Sequence, residues 1–390
     1  MKRMMTAFLC SALLLTACAD AAPAGSSVSD GQSGTQSEEQ AEDQAEIKGL
    51  KDVFAEHGIK AGCCVSGFAI NSRNIEPILL QQFNSVTAEN SMKPDAILSK
   101  ADSLAEGTLV VKYGSEAQSI LAWAKENGLS MRGHTLIWYN QTPDWIFHED
   151  FDTQKPFVGR DEMLSRMESL IKGNFEELDA LGYTDLFYAY DVVNEGWMED
   201  GTRRKNNWYD IIGEDYIWYA FYYADKYAPE SIDLYYNDYN EQYKADSLCR
   251  FVNTLVDEDG RYLIDGIGLQ AHLFTDDDLN IYLKGVDKLA TTGLKLQVTE
   301  LDLGLGSYGS PKEPSEDMLK EQGRYYYELI NGLLERADAG TINMDAIVFW
   351  GFSDLTSWRA EYSPMLFDKT FQPKYAYYGA VQEKDKAGYE

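Results

Sequence analysis

Short apolar runs alternate with longer amphipathic stretches along most of this chain. Residues 65–70, 85–88, 130–137, 186–193, 232–236, 266–271, 295–300 and 346–350 read as strands. Between them, 116–126, 160–181, 216–227 and 316–336 carry apolar positions at helical spacing. Strands that alternate with helices build a parallel sheet, and eight such units close into a (β/α)8 TIM barrel. A barrel of this kind uses ~250 residues or more as one unit. No Pro/Gly/Ser linker or charge block divides the chain from about residue 47 onward, so 47–390 is expected to be a single α/β domain.

The strand ends carry the candidate chemistry. Most runs finish in polar or aromatic groups: Glu89-Asn90, His134 through Gln141, Asn194-Glu195, Asn237-Asp238, Gln270 with His272, Glu300, and Trp350. In a barrel these ends converge on one mouth, where catalysis sits. A doubly wound sheet would gather them at fewer strands, around one switch point. Glu195 and Glu300 each close a strand at a rim where packing does not need a carboxylate. Two facing carboxyl groups can divide the roles of acid and nucleophile, as glycoside hydrolysis requires. Acidic chains place many carboxylates at rims, so the spacing alone leaves this open.

Charge narrows the partners. With 34 Lys and Arg against 64 Asp and Glu, the net charge is −30. Phosphate backbones and anionic headgroups would be repelled, which argues against nucleic acid and favours a neutral or cationic partner. The 26 Tyr and 8 Trp residues suit stacking on flat apolar faces, although many such rings simply fill core.

The N-terminus reads as an address. Lys2 and Arg3 precede an apolar run over 4–15, too short to span a bilayer. It ends in Leu15-Thr16-Ala17-Cys18, which resembles a bacterial lipoprotein signal cut before a cysteine that then carries lipid. The alternative is an ordinary secretion signal cut after Ala17. Residues 1–17 are thus expected to be a signal peptide. Residues 18–46, with no aromatic or basic residue, would be a lipid-anchored flexible acidic linker. Membrane attachment through Cys18 would place the protein in a bacterial envelope, at the outer membrane or cell surface, and otherwise it would be secreted. Cys10 leaves with the signal. Cys63, Cys64 and Cys249 are no disulfide framework, and the adjacent pair reads as small buried hydrophobes.

Other signals carry less. Gly304-Leu305-Gly306-Ser307-Tyr308-Gly309 spells a dinucleotide fingerprint, but Pro311 and Pro314 follow, so it reads as a loop. His57, His134, His148 and His272 lack the two-histidine helical spacing of a zinc hydrolase, so no metal is expected. His57 and His148 read as surface or packing residues, Trp123 and Trp218 as core, and Asp276-Asp277-Asp278 as a solvated loop.

Seven motifs in order give a resemblance. Thr87-Ala88-Glu89-Asn90-Ser91-Met92-Lys93 comes first. Arg132-Gly133-His134-Thr135-Leu136-Ile137-Trp138, continued by Gln141-Thr142-Pro143-Asp144-Trp145, forms the second, and Asp191-Val192-Val193-Asn194-Glu195 the third. Asn237-Asp238-Tyr239-Asn240, Gly268-Leu269-Gln270-Ala271-His272 and Val298-Thr299-Glu300-Leu301-Asp302 precede Phe349-Trp350-Gly351-Phe352-Ser353-Asp354 with Trp358. Together, over roughly residues 50–380, they resemble glycoside hydrolase family 10, the endo-1,4-β-xylanases. The resemblance implies retaining cleavage of internal β-1,4 bonds in xylan or xylo-oligosaccharides, by a monomer and with no cofactor. It implies Glu195 as acid/base and Glu300 as nucleophile, with Asn194 on the sugar 2-hydroxyl. His272 would bond Glu300, with Asp302 behind it, and Gln270 would support the site. Glu89, Asn90, Lys93, His134, Trp138 and Gln141 would line the non-reducing side, and Trp350 and Trp358 would wall the sugar at the cleavage point. Tyr139 stands where many relatives have histidine, and Tyr190 where tryptophan often precedes the aspartate. A similar barrel cleaving β-1,4-glucan, or a lipid-anchored glycan-binding protein without catalysis, are the rival readings. The presence of both glutamates argues against the second.

Overall fold

The computed structural model describes residues 48–389. The expected signal peptide, Cys18 and the linker to residue 46 lie outside the described residues. Within them the apolar runs form parallel strands: β1 Lys60–Val65, β2 Ser85–Ala88, β3 Ser130–Gly133, β4 Phe187–Asn194, β5 Asp233–Asp238, β6 Gly266–Leu269, β7 His272–Phe274, β8 Lys295–Gly304 and β9 Met344–Phe349. Strands β1 to β6 pair in sequence order, β9 pairs with β1 and β8, and β8 pairs with β6, so the sheet closes on itself. After a left-handed residue at Ala271 (φ 57°), β7 continues the line of β6 and pairs with the far end of β8. The result is the eight-stave (β/α)8 barrel that the pattern predicts, with helices between successive staves.

The four expected helices form as Ser115–Glu126, Arg160–Leu181, Tyr216–Tyr227 and Glu316–Asp338. Their ends have local causes. Gly182 takes the left-handed conformation (φ 73°) after Leu181 and returns its N–H to the carbonyls of Leu178 and Asp179. Ser315 Oγ accepts the Met318 N–H at 3.3 Å and so caps the start of the last long helix. Met163, Met167, Leu170, Ile171, Phe175 and Leu178 form the buried stripe of the second helix. Trp123 is buried and Trp218 half-buried, each bonded through Nε1, to Glu76 Oε1 (2.8 Å) and the Val256 carbonyl (2.9 Å).

Two strands differ from the pattern. The first lies at Lys60–Val65 rather than 65–70, and Gly67–Ile70 is a helical turn capped by Ser66 Oγ. The Lys60-Ala61-Gly62-Cys63-Cys64 segment lacks the β-branched residues that mark a strand. Its glycine is nonetheless fitted to the sheet, because a Cβ on Gly62 would lie 2.7 Å from Val348 Cγ2. Cys63 and Cys64 are buried free thiols, and Cys249 is also unbridged. The third run breaks at Gly133, then rejoins β4 through Leu136 and Ile137, whose N–H groups donate to the Asp191 and Val192 carbonyls at 3.0 Å each. His134 sits in this interruption.

Small residues admit large neighbours around the barrel. A Cβ on Gly133 would lie 2.2 Å from the Tyr190 ring. Tyr190 packs on Phe175 and Phe187 and donates to Asn174 Oδ1 at 3.0 Å, so it belongs to the seam between β4 and the 160–181 helix. Arg132 is fully buried, its guanidinium paired with both Asp191 oxygens and its Nε donating to Gln297 Oε1 at 2.8 Å. Gly133→Ala should therefore overpack this seam and destabilise the fold by ~1–3 kcal/mol. The expected readout is a lower urea midpoint at unchanged slope. A midpoint equal to that of the parent protein would mean that the seam yields freely.

Candidate active site

Two irregularities aim the rim glutamates. Strand β8 gains one residue on β9 between Val298 and Leu301, which are paired with Ile347 and Phe349. Such a bulge redirects a side chain, and it falls at Thr299-Glu300. Strand β4 has the same kind of shift against β5 between Asp191 and Val193. Just past β4, Glu195 adopts φ 56°, a conformation that non-glycine residues rarely hold. Its N–H donates to the Asn237 carbonyl at 2.9 Å, and its own carbonyl accepts from Arg204 Nε at 2.8 Å.

A relay of carboxamides joins the two glutamates. Asn237 Nδ2 donates to Glu300 Oε1 (2.6 Å) and to Asn194 Oδ1 (2.9 Å). Asn194 Nδ2 donates to Glu195 Oε1 at 3.3 Å. Gln270 Nε2 reaches both Asn194 Oδ1 (3.1 Å) and Glu195 Oε1 (3.2 Å). Thr299 Oγ1 donates to Asn237 Oδ1 at 2.6 Å and fixes which end of that amide faces Glu300. A Cβ on Gly268 would lie 2.3 Å from the same Asn237 oxygen, so β6 must carry glycine there.

Behind Glu300 lies a charged stack. His272 Nε2 is 3.3 Å from Glu300 Oε2, and His272 Nδ1 is 3.1 Å from Asp302 Oδ2. Asp302 also accepts from Trp358 Nε1 (3.0 Å) and from Arg359 Nη1. Burial alone would push the Glu300 carboxyl up. The bond from His272, the charges of His134 and His272 and the Asn237 amide outweigh it and hold Glu300 at about 2. Burial likewise disfavours a charged His272, but Asp302 and Glu300 overcome it and raise the imidazole to about 10. An ionised Glu300 beside a cationic His272 is the resulting state at neutral pH.

One wall of the cleft is aromatic and cationic. Lys93 Nζ donates to Asn90 Oδ1 and Gln141 Oε1, both at 2.9 Å, and lies 5.1 Å from the Trp138 ring centre and 5.8 Å from that of Trp350. Burial lowers the Lys93 pKa, opposed by the charges of Glu300 and Glu89. Burial raises that of Glu89, at the end of β2. His134 meets the Trp350 ring edge-on at 5.2 Å and bonds Asp191 Oδ2 through Nδ1 at 2.8 Å. Trp358, 59% exposed, meets His272 edge-on at 5.1 Å.

The geometry thus brings the sequence-predicted residues together around the mouth. It adds Arg204 and Arg359, which the sequence reading did not name, and gives contacts to Asn237 and Tyr239, which it named without a role. Asn237 was visible as one of two polar residues closing β5. Arg204 lies in an irregular loop with no periodic signal. The other groups stay apart. His57 bonds Asp338 at 2.9 Å, and His148 Nδ1 bonds the Lys155 carbonyl. Gly304 through Gly309 run from the end of β8 into a loop, and the next helix opens only at Glu316. Asp277 and Asp278 accept backbone N–H groups of Phe274 and Asn280 at the start of the Leu279–Ala290 helix.

Comparison with known proteins gives one family. The model of glycosyl hydrolase family 10 matches residues 49–383. Endo-1,4-β-xylanase B of Butyrivibrio fibrisolvens is 34% identical over 83% of this chain and 51% of its own length, so the chain spans about half of that relative. The xylanase 10B modules of Clostridium thermocellum in complex with xylohexaose superpose with a TM-score of 0.78 at 32% identity, over 86% of this chain and 68% of that one. The intracellular xylanase of Thermoanaerobacterium saccharolyticum superposes at 0.76 and 32% identity, over 86% and 99%. Two further structures of that enzyme hold xylotetraose or xylotriose, each with one glutamate replaced by alanine. Those two glutamates are separated in sequence by the same number of residues as Glu195 and Glu300.

The two shifted groups predict a pH profile of stability. Glu300 is depressed from 4.5 to about 2, so its contribution is complete above 4.5 and is lost as pH falls toward 2. His272 is raised from 6.5 to about 10, so its contribution is complete below 6.5 and is lost as pH rises toward 10. Melting temperature should therefore plateau between 4.5 and 6.5 as far as this pair is concerned. His272→Asn should flatten the alkaline slope and move the acid slope to higher pH. An alkaline slope unchanged in that variant would assign it to another group.

Proposed function

As the chain belongs to glycosyl hydrolase family 10, we propose that it is an endo-1,4-β-xylanase that hydrolyses internal bonds of xylan and xylo-oligosaccharides with retention, by double displacement. The observation that carries this is the carboxamide relay between Glu195 and Glu300, with cationic His272 on the far side of Glu300 only. Glu300, held ionised, attacks the anomeric carbon while Glu195 protonates the departing glycosidic oxygen. The product is a glycosyl ester on Glu300. Water then attacks the same carbon, Glu195 takes its proton, and the Glu300 carboxylate leaves. Asn194, between the two carboxyls, is assigned to the 2-hydroxyl of the reacting sugar.

Glu89, Asn90, Lys93, His134, Trp138 and Gln141 are assigned to the sugars on the non-reducing side, and Trp350 and Trp358 to the walls at the cleavage point. His272, Asp302 and Gln270 support the two carboxyls. A neutral polyhydroxyl chain suits a protein with a net charge of −30. The xylo-oligosaccharides bound to the relatives, and the matching separation of the two glutamates in one of them, support both substrate and residues. Action as a monomer is part of the same proposal. We also propose that residues 1–17 are removed and that lipid on Cys18 anchors the barrel to the bacterial envelope through the 18–46 tether. The charged start, the short apolar run and Leu15-Thr16-Ala17-Cys18 support this.

Two experiments test these assignments. Glu195→Ala should lose ~10²–10⁴-fold on xylan, the worth of general acid catalysis. On an aryl xylobioside with a good leaving group it should still form the glycosyl-enzyme, which accumulates until azide restores turnover. Glu300→Ala should be nearly inactive on both. A fast burst in Glu300→Ala with none in Glu195→Ala would reverse the roles, and faster release of reducing ends from cellulose than from xylan would change the substrate. Cys18→Ser should move the protein out of the membrane fraction with the barrel still folded. A parent protein found wholly in the aqueous phase of a detergent separation would refute the anchor.

A further inference from the structure

Glu195 hangs from a backbone turn that its own side chain does not favour. Its φ of 56° lies in the left-handed region, and such a conformation persists only where its surroundings over-determine it. Two hydrogen bonds do so. One is the bond from the Glu195 N–H to the β5 carbonyl of Asn237; the other comes from a side chain, Arg204 Nε to the Glu195 carbonyl at 2.8 Å. Arg204 is itself folded back onto the turn, its backbone N–H donating to the Gly196 carbonyl at 2.9 Å.

The rest of the guanidinium is used on the same side. Nη2 donates to the Tyr239 hydroxyl at 2.8 Å, and the group lies 4.3 Å from the Tyr139 ring centre. Among the described residues no carboxylate forms an ion pair with Arg204, in a chain with nearly two acids for each base. Its charge is not spent on a surface partner and stands beside Glu195. Tyr139 completes the arrangement: burial and the adjacent Glu195 charge, opposed by Arg204, push its hydroxyl up to about 12.

We propose that Arg204 is a positioning residue for the acid/base. It clamps the left-handed turn that carries Glu195 and holds Tyr139 and Tyr239 as the adjoining wall. This rests on the assignment of Glu195 made above. The role needs the planar fork of arginine, which bonds a carbonyl and a hydroxyl while stacking on a ring; a lysine supplies a point charge and cannot do all three.

The test is the pattern of loss, not its size. A misplaced acid/base impairs only the steps that use it. Arg204→Met should lose ~10–10²-fold in kcat on xylan, the scale of a displaced catalytic group. It should keep near-parent glycosyl-enzyme formation on an activated aryl xylobioside, and azide should accelerate its turnover. Arg204→Lys should show the same pattern in weaker form and, with Tyr139→Phe, guards against a folding defect, which thermal melting would reveal. In a Glu195→Ala background Arg204→Met should add no further loss, because the residue acts through the glutamate. Equal losses on xylan and on the aryl glycoside, or losses that multiply in the double variant, would overturn the proposal. If Glu195→Ala alone lacks azide rescue, the acid/base assignment fails instead, and this inference falls with it.

Discussion

Arg132 and Asp191 face each other inside the barrel, both side chains fully shielded from solvent. Two bare charges at that depth survive only as a well-made pair, and removing one partner would cost ~3–5 kcal/mol. The pair reaches much of the site. Arg132 also holds Gln297 of β8, and Asp191 holds the His134 ring, whose charge helps keep Glu300 ionised. A contact beneath the mouth therefore ties β3, β4 and β8 together and fixes the electrostatic setting of the carboxylate above it.

The two glutamates are mounted differently. Glu300 belongs to a strand, redirected by a bulge and surrounded by Asn237, His272 and, behind that, Asp302 with Arg359. Glu195 lies just past a strand, on a turn in the left-handed region, with amide donors from Asn194 and Gln270 and an arginine on its backbone. A group meant to stay charged gains from rigid, converging donors. Glu195 Oε1 accepts from neutral amides, and among the described residues no cationic side chain is bonded to its carboxyl, in keeping with the acid/base role proposed for it. The same relay of Asn194 and Asn237 binds both mounts into one unit.

Much of this was legible in the sequence. The alternation of apolar runs and helical stripes gives the barrel, because burial of a parallel sheet forces that rhythm on the chain. Polar residues at run ends give the mouth, because no packing reason puts Glu195, Glu300 or His272 there. The misplaced first strand shows where pattern fails: Gly62 and the two cysteines are fitted to Val348 and the sheet, not to local propensity. Arg204 and Arg359 were illegible for a related reason. Each acts by reaching from a loop to a strand end, and a loop has no period from which the direction of a side chain can be read. The bulge at Thr299-Glu300 is likewise a matter of register between strands, which a single strand does not record.

Asp302 gives the site one more property. Its carboxylate faces His272 with the same oxygen, Oδ2, that accepts the indole N–H of Trp358, the most exposed of the site's tryptophans. Any change in charge on the imidazole alters the field along that indole bond, a few ångströms from a chromophore open to solvent. Of the site's tryptophans, the ring most open to solvent is coupled, through one carboxylate oxygen, to the histidine behind Glu300.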